Sequence, residues 1–477
     1  MGDKMKHPTG LFVLSSTEMC ERFSYFIILS MLVLYMMDVL HFSAAFSSLL
    51  SGIVTGLIYI AQLFGGYLSD RFLGNRKAII LGGTLMAIGQ FVFAYSGSLY
   101  YTTTNIAEHS TFIFTFPECI FIVAIIIIAI GSGLFKVNLS SMVSSLYDPE
   151  DKLLDSAFTI YYMAISVGGF LAPLIVNFVV GSGNPSLYQY GFLIAGIYIL
   201  CGVVGFTLLK DKYLYSYDGK KIGVAPVSKQ ENTNADNKAN KSKLTKNEIN
   251  HILVIIIMCI FSTIFFACNS QITTSILLFS KTYVNPTIPF TNFTVSPEFY
   301  LALNPLFFII LAPLVVRFMD WLESKNKAPS SITKIGIGFF LMSVAFSTLL
   351  ISLNTFDANL KVNMGWAILF NLILVLAEIL MTPILLSLVS QLAPERYMSF
   401  LIGVWFFTLS IAQILGGVFA GGYPSAAGSV PKFLGLIPVH NLASFMSIYV
   451  ILSFVCGVIW LLFRKKLMEL AEDVLEC

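Results

Sequence analysis

The chain has 477 residues, of which 57% are hydrophobic and 11% are charged, a balance far more apolar than that of water-soluble domains. Most of the chain is therefore expected to face lipid, and a formal net charge of +2 gives no indication of a nucleic-acid partner. The seven cysteines have no paired spacing and no accompanying histidines, so neither a disulfide framework nor a metal site is expected.

Apolar runs long enough to cross a bilayer recur along the whole chain. A membrane helix needs about 20 apolar residues to cross a hydrocarbon core of roughly 30 Å. The runs are continuous and contain small residues, whereas strands of a membrane barrel alternate, so the predicted fold class is all-α and polytopic. We place twelve spans at residues 9–39, 46–69, 76–98, 117–146, 153–180, 188–209, 248–279, 298–319, 330–353, 364–392, 397–420 and 441–463.

The basic residues are distributed unevenly between the predicted loops. If both termini lie in the cytoplasm, 23 of the 28 Lys and Arg residues fall on the cytoplasmic side. Basic residues accumulate in cytoplasmic loops of membrane proteins, so this orientation is favoured over the reverse. We expect a multi-pass protein of the cell membrane with both termini in the cytoplasm.

One long polar segment interrupts the apolar pattern at residues 210–247. It is rich in Asn and Lys and has little to bury, so a flexible cytoplasmic linker is expected there. Six spans precede it within 1–209 and six follow within 248–477. This arrangement is typical of two six-helix bundles with a substrate path near the middle of the bilayer.

The first span carries four polar side chains, Glu18, Glu21, Arg22 and Tyr25. Their spacing of three, four and seven residues places them on one face of a helix. A charge at the centre of a membrane helix costs about 2.5 to 3.5 kcal/mol, so the group needs partners or water. Lys136 of the fourth span lies at a similar depth, roughly 15 Å from the cytoplasmic end of its helix, and we expect it to pair with the acids. The cluster indicates proton coupling, with a static salt-bridge cluster as the alternative.

Glu378 is the only acid in the span 364–392, and its own helix carries no base that would neutralise it. A cavity with Arg22 and Lys136 on one wall and Glu378 on the other would suit a zwitterion such as a peptide. The alternative is a protonated glutamic acid hydrogen-bonded to a neighbouring helix. Asp70 and Arg71, in the loop after the second span, are assigned a gating role, and a solvated loop that only fixes topology is the alternative.

Several motifs together resemble the proton-dependent oligopeptide transporters of the major facilitator superfamily. EMCERF at 18–23 is similar to the first-helix signature of that family, and GLFKVNLSSMVSSLYD at 133–148 resembles its fourth-helix motif. FTIYYMAISVGGFLAPLI at 158–175, LNPLF at 303–307 and EILMTPILLSLVSQLAP at 378–394 resemble later motifs. The resemblance covers nearly the whole chain and implies the major facilitator fold.

The resemblance also implies roles for individual residues. Glu18, Glu21 and Lys136 would serve proton coupling, Arg22 and Lys136 would meet the peptide carboxylate, and Glu378 would meet its ammonium. Other matching positions line the pocket of the family, although ordinary packing is an alternative for the aromatic ones. They are Tyr25, Tyr59, Asn304 and Trp405.

The chain departs from the family pattern at several positions. Phe26 replaces a usual tyrosine, and Ser166 replaces an asparagine that usually bonds the peptide backbone. Leu29 replaces a second first-helix arginine, and Asn269, followed by Ser270, occupies the usual place of a seventh-helix acid. The arginine and the acid are absent together, which leaves neither charge unpaired.

The favoured function is proton-coupled symport of di- and tripeptides by alternating access, performed by a monomer without a cofactor other than the coupling proton. The alternative is a facilitative or differently coupled transporter, or a sensor, for modified peptides or another small solute. An enzyme is not expected, because the five scattered histidines form no catalytic constellation. No GxxxxGK[ST] motif occurs, so ATP-driven pumping is not expected either.

Overall fold

The fold was analysed in a computed structural model. It describes residues 7–103, 106–148, 153–181, 184–224, 245–288, 291, 293–394, 398–424 and 431–471. Within these ranges, twelve helical segments are long enough and apolar enough to cross a membrane, as the sequence predicts. The predicted fold class, all-α and polytopic, is confirmed.

The first part of the chain forms seven helices that include the first six spans. They are α1 (Thr9–Asp38), α2 (Ala44–Leu68), α3 (Asn75–Ser98), the short α4 (Tyr100–Thr103), α5 (Phe116–Ser144), α6 (Leu154–Val179) and α7 (Tyr188–Tyr213). A π-helical turn, Ser69–Leu73, extends α2. The predicted fourth and fifth spans therefore correspond to α5 and α6.

The second part contains the remaining spans. Its helices are α8 (Lys246–Asn269), α9 (Ser275–Tyr283), α10 (Phe299–Glu323), α11 (Ser331–Ser352), α12 (Met364–Leu392), α13 (Met398–Ala420) and α14 (Leu442–Leu470). A 3-10 turn at Ser270–Thr273 separates α8 from α9 inside the predicted seventh span. Two-residue strands, β1 (Lys432–Phe433) and β2 (Ile437–Pro438), pair antiparallel before α14.

The contacts divide the chain into two compact units. Unit 1 comprises Met1–Ser43 and Leu57–Asn234, and unit 2 comprises Ala44–Gly56 and Ala235–Cys477. The division falls within α2, so the first half of that helix is grouped with the second bundle. In unit 2, the Ser410 hydroxyl donates a hydrogen bond to the carbonyl of Gly56 at 2.8 Å. Span order alone places the whole of α2 in the first bundle.

The predicted linker, 210–247, begins with ordered structure. Residues 225–244 lie outside the described part of the chain, whereas Lys210 to Tyr213 complete α7. The segment that follows turns back on unit 1, and Tyr215 forms a β-bridge with Lys221. Leu214 and Ile222 are buried in the core of unit 1, which explains why this short stretch is ordered.

Helix starts in the chain have recognisable local causes. Thr245 accepts from the backbone N–H of Glu248, and the Glu248 carboxylate accepts from the N–H of Thr245, which is a capping box before α8. Asn441 and Ser444 form the same arrangement before α14. Such caps satisfy backbone donors that have no partner inside the helix.

Candidate functional site

In unit 1, the polar face of α1 packs against α6. Gly168 of α6 makes this approach possible, because a β-carbon at that position would lie 2.6 Å from the carbonyl oxygen of Met19 and 3.0 Å from the amide nitrogen of Phe23. These contacts lie beside the residues that carry the charges. All three charged side chains of the α1 face are buried, with Glu18 and Glu21 at 0% and Arg22 at 4% exposure.

Arg22 binds its sequence neighbour Glu21 with two hydrogen bonds. The Nη2 group donates to Oε1 at 2.5 Å, and the Nε group donates to Oε2 of the same carboxylate. A bidentate pair of this kind is among the strongest contacts between charged side chains. Arg22 also lies 4.6 Å above the ring of Tyr25, so its orientation is fixed from two directions.

Glu18 has a different environment from Glu21. Its Oε1 lies 3.5 Å from Nε of Arg22, yet neither of its carboxylate oxygens accepts a hydrogen bond with standard geometry. A buried carboxylate without donors is costly in its charged form. Of the two acids, Glu18 is therefore the one without a hydrogen bond of standard geometry among the described residues.

Lys136 of α5 lies on the same side of unit 1 but makes no salt bridge with either acid among the described residues. Its ammonium lies 5.5 Å from the centre of the Tyr59 ring and interacts electrostatically with Glu18 and Glu21. The predicted ion pair between Lys136 and the acids is therefore not formed within the described part of the chain. Arg22 contacts the two acids directly, and Lys136 interacts with them electrostatically at longer range. The hydroxyl groups of Tyr25 and Tyr59 interact with each other beside this cluster.

In unit 2, Glu378 of α12 is held by amide side chains from two other helices. Asn304 of α10 donates a hydrogen bond from Nδ2 to Oε1 at 3.0 Å, and Asn269 of α8 also interacts with the carboxyl group. Asn269, which occupies the position of an acid in the family pattern, therefore contacts the carboxyl group of Glu378. This contact is compatible both with a ligand-binding carboxylate and with the alternative of a glutamic acid hydrogen-bonded to a neighbouring helix.

Two further predicted pocket residues lie in different units. Trp405 of α13 is 3% exposed and packs edge-on against Phe266 of α8, with ring centres 6.2 Å apart. Ser166 of α6 is half-buried in unit 1. Within unit 2 the Trp405 ring is part of the α8–α13 contact.

The residues assigned to gating are exposed. Asp70 and Arg71 lie in the π-helical turn after α2, and Arg71 contacts the hydroxyl and ring of Tyr67. The buried cation of this loop is instead Arg76. Its guanidinium donates to the carbonyl groups of Ile222 at 2.6 Å and Leu214 at 2.7 Å, and Nη1 lies 2.9 Å from Asp211.

Sequence reasoning missed two buried residues of unit 1. Arg76 is one, and its sequence signal was its place in a loop with several bases. The other is Tyr161 of α6, which is 3% exposed and interacts with the Glu18 carboxyl group. No group of three or more His, Cys, Asp or Glu side chains suited to a metal ion occurs within the described ranges.

Comparison with known proteins gives a consistent result. The family described as "Major Facilitator Superfamily" matches residues 14–417. The chain is 28% identical to "Uncharacterized transporter YclF" from Bacillus subtilis, over 87% of this chain and 88% of that protein. It is 26% identical to "Di-/tripeptide transporter" from Lactococcus lactis subsp. cremoris, over 98% and 97% of the two chains.

The fold is similar to that of solved transporter structures. One of them, the crystal structure of peptide transporter POT in complex with sulfate, superposes with a TM-score of 0.79 at 23% identity and covers 98% of this chain and 97% of that one. The match in fold, the family match over most of the chain and the first-helix motif agree with one another. The chain belongs to the Major Facilitator Superfamily, and relatives with names such as Di-/tripeptide transporter support its resemblance to the proton-dependent oligopeptide transporters.

Proposed function

We propose that the protein is a symporter that imports di- and tripeptides together with protons. The observation that carries this proposal is the buried cluster of unit 1, in which Arg22 is bound to Glu21 while neither oxygen of Glu18 accepts a hydrogen bond of standard geometry. Ionisable groups inside a membrane helix commonly mark ion pathways. The relative named Di-/tripeptide transporter supports the choice of substrate.

Charge balance explains how a proton and a peptide favour each other's binding. The cluster holds two acids, Glu18 and Glu21, and two bases, Arg22 and Lys136. When all four are ionised the charges cancel, whereas protonation of Glu18 leaves one positive charge in excess. A buried excess charge is costly, and the carboxylate of a peptide compensates it. By linkage, each ligand then raises the affinity for the other.

The two ends of the peptide require opposite charges. In our proposal Arg22 and Lys136 attract the carboxylate, and Glu378 attracts the ammonium. Asn304 holds Glu378 at 3.0 Å, so the carboxylate is oriented before the ligand arrives. Tyr25, Tyr59, Ser166, Asn269 and Trp405 are proposed to contribute to the same binding, and a monomer is sufficient for it.

We also propose that both termini lie in the cytoplasm of a cell whose plasma membrane the chain crosses. The distribution of basic residues supports this orientation. It places the exposed Cys119, at the start of α5, outside the cell. Labelling of intact cells with a membrane-impermeant thiol reagent tests it, since Cys119→Ser then removes the label. In this orientation Asp70 and Arg71 lie at the cytoplasmic surface, where we propose that they contribute to gating.

One observation favours a second candidate, a facilitator or differently coupled transporter. Asn269 occupies the usual place of an acid and is neutral, so within the described part of unit 2 no second acid acts on the Glu378 carboxyl group. A transporter of this kind would equilibrate peptides or modified peptides without accumulating them. Accumulation against a gradient separates the two candidates.

The substrate is tested by competition in proteoliposomes. Purified protein is supplied with an inward proton gradient and labelled dialanine, and unlabelled dipeptides, tripeptides and unrelated solutes compete. We expect dipeptides and tripeptides to compete and the unrelated solutes to fail. Failure of every peptide to compete would overturn the proposed substrate class.

A further inference from the structure

Two buried groups in unit 1 lie next to each other without the hydrogen bonds that their burial requires. Glu18 is 0% exposed and neither carboxylate oxygen accepts a standard hydrogen bond. The Tyr161 hydroxyl of α6 is also buried and has no hydrogen-bond partner of standard geometry. Buried polar groups without partners are rare, and each one calls for an explanation.

The packing of α6 against α1 explains why Tyr161 lies beside Glu18. Gly168 fixes α6 against α1 at Met19, and Tyr161 lies seven residues, or two helical turns, before Gly168 on the same face. Side chains of a helix point back toward its N-terminus, so the Glu18 carboxyl group lies below its own backbone position. Tyr161 therefore reaches the level of that carboxyl group and interacts with it electrostatically.

We infer that the Tyr161 hydroxyl donates a hydrogen bond to the ionised Glu18 carboxylate and is released when that carboxylate takes up a proton. Neither the Glu18 oxygens nor the Tyr161 hydroxyl has another hydrogen-bond partner of standard geometry, and rotation of the phenol hydroxyl and the carboxylate would complete the bond. Tyr161 is then a positioning residue that sets the pH at which Glu18 exchanges its proton. The role in transport rests on the proposed function, whereas the contact itself does not.

Among the charged and titratable side chains that act on Glu18, Tyr161 is the buried neutral one that can donate a hydrogen bond. The titratable or charged side chains that act on the Glu18 carboxyl group come from α1, α5 and α6 and are Glu21, Arg22, Lys136, Tyr161 and Tyr162. Arg22 uses two of its donors on Glu21, and Lys136 makes no salt bridge with Glu18. Tyr162 is 55% exposed, whereas Tyr161 is 3% exposed and belongs to the buried core of unit 1.

Infrared difference spectroscopy of the purified full chain tests the contact without any substrate. The carboxyl band of Glu18 is identified by its loss in Glu18→Gln, and its frequency is compared in wild type and Tyr161→Phe. We expect the band to move in Tyr161→Phe because the phenol donor is gone. The matched control is Tyr35→Phe, which removes a buried phenol hydroxyl, bonded to Ser96, about 25 Å along α1 from Glu18. An unchanged band in Tyr161→Phe, or an equal shift in Tyr35→Phe, overturns the inference.

The role in coupling is tested by the pH dependence of dialanine exchange in proteoliposomes. A hydrogen bond to a charged group corresponds to roughly one pH unit, so the half-maximal pH of exchange should rise by about that amount in Tyr161→Phe. In the Glu18→Gln background the same substitution should cause no shift. A shift that persists without Glu18, or an unchanged profile in Tyr161→Phe, overturns the positioning role. If the wild-type protein transports no peptide, the proposed function fails and the infrared result still decides the contact.

Discussion

The two acids of α1 have the same chemistry and different partners. Glu21 shares both oxygens with Arg22, whereas Glu18 lies 3.5 Å from Arg22 without a hydrogen bond. On a helix, residues four apart usually face each other and adjacent residues do not. The spacing therefore favours a pair of Glu18 with Arg22, and the flexible arginine side chain reaches the adjacent acid instead. In our proposal, this choice of partner makes Glu18 the acid that exchanges protons.

Replacement of Glu378 tests the contact that we propose between one side chain of unit 2 and the peptide ammonium. Glu378→Gln keeps the size and the Asn304 contact but removes the charge that attracts an ammonium. A hydrogen bond between charged groups contributes about 1.5 to 3 kcal/mol, so the affinity for dialanine should fall at least about tenfold. Inhibition by N-acetylated dialanine, which has no ammonium, should change little. Equal losses for both ligands would contradict the assigned role.

At the scale of helices, the approach of α6 to α1 is the contact that assembles the charged cluster. A methyl group at Gly168 would collide with backbone atoms of Met19 and Phe23, which cannot yield as side chains do. We expect Gly168→Ala to lower the melting temperature of the purified protein and the rate of exchange. The expected loss is about 1 to 3 kcal/mol of folding free energy.

The matched control for that substitution is Gly205→Ala in α7. No atom lies within 4 Å of a β-carbon placed there, so the added methyl group meets open space. Alanine favours a helix over glycine by about 0.5 to 1 kcal/mol, and stability should be kept or rise slightly. A melting temperature that falls equally in both variants would show that the Gly168 contact is not special.

The helices themselves could be predicted closely, because their signal lies in local composition. The first predicted span, 9–39, corresponds to α1 at Thr9–Asp38. The same periodicity correctly places the charged residues on one face of α1. The break between α8 and α9 could not be predicted, since it depends on Gln271, which donates to the carbonyl groups of Ala267 and Gly416.

Contacts between distant segments were not predictable for the same reason. Tyr161 reads as an ordinary aromatic residue until the packing of α6 on α1 places it beside Glu18. Arg76 reads as a base that fixes topology, whereas the structure buries it and ties the loop after α2 to the segment after α7. Both roles depend on pairs of residues that are far apart in sequence, and one sequence does not reveal such pairs.

For the whole molecule, we propose that proton binding at Glu18 drives accumulation of peptide. Glu18→Gln resembles the protonated acid permanently, so it should still bind and exchange dialanine but should not respond to a proton gradient. Glu21→Gln leaves Arg22 without its bidentate partner and should impair binding as well as accumulation.

The most direct measurement compares two assays on the same proteoliposomes, dialanine exchange at equal pH and dialanine accumulation under an inward proton gradient. We expect the wild-type protein to perform both and Glu18→Gln to retain exchange while losing accumulation. Full gradient-driven accumulation in Glu18→Gln would show that Glu18 is not the coupling acid.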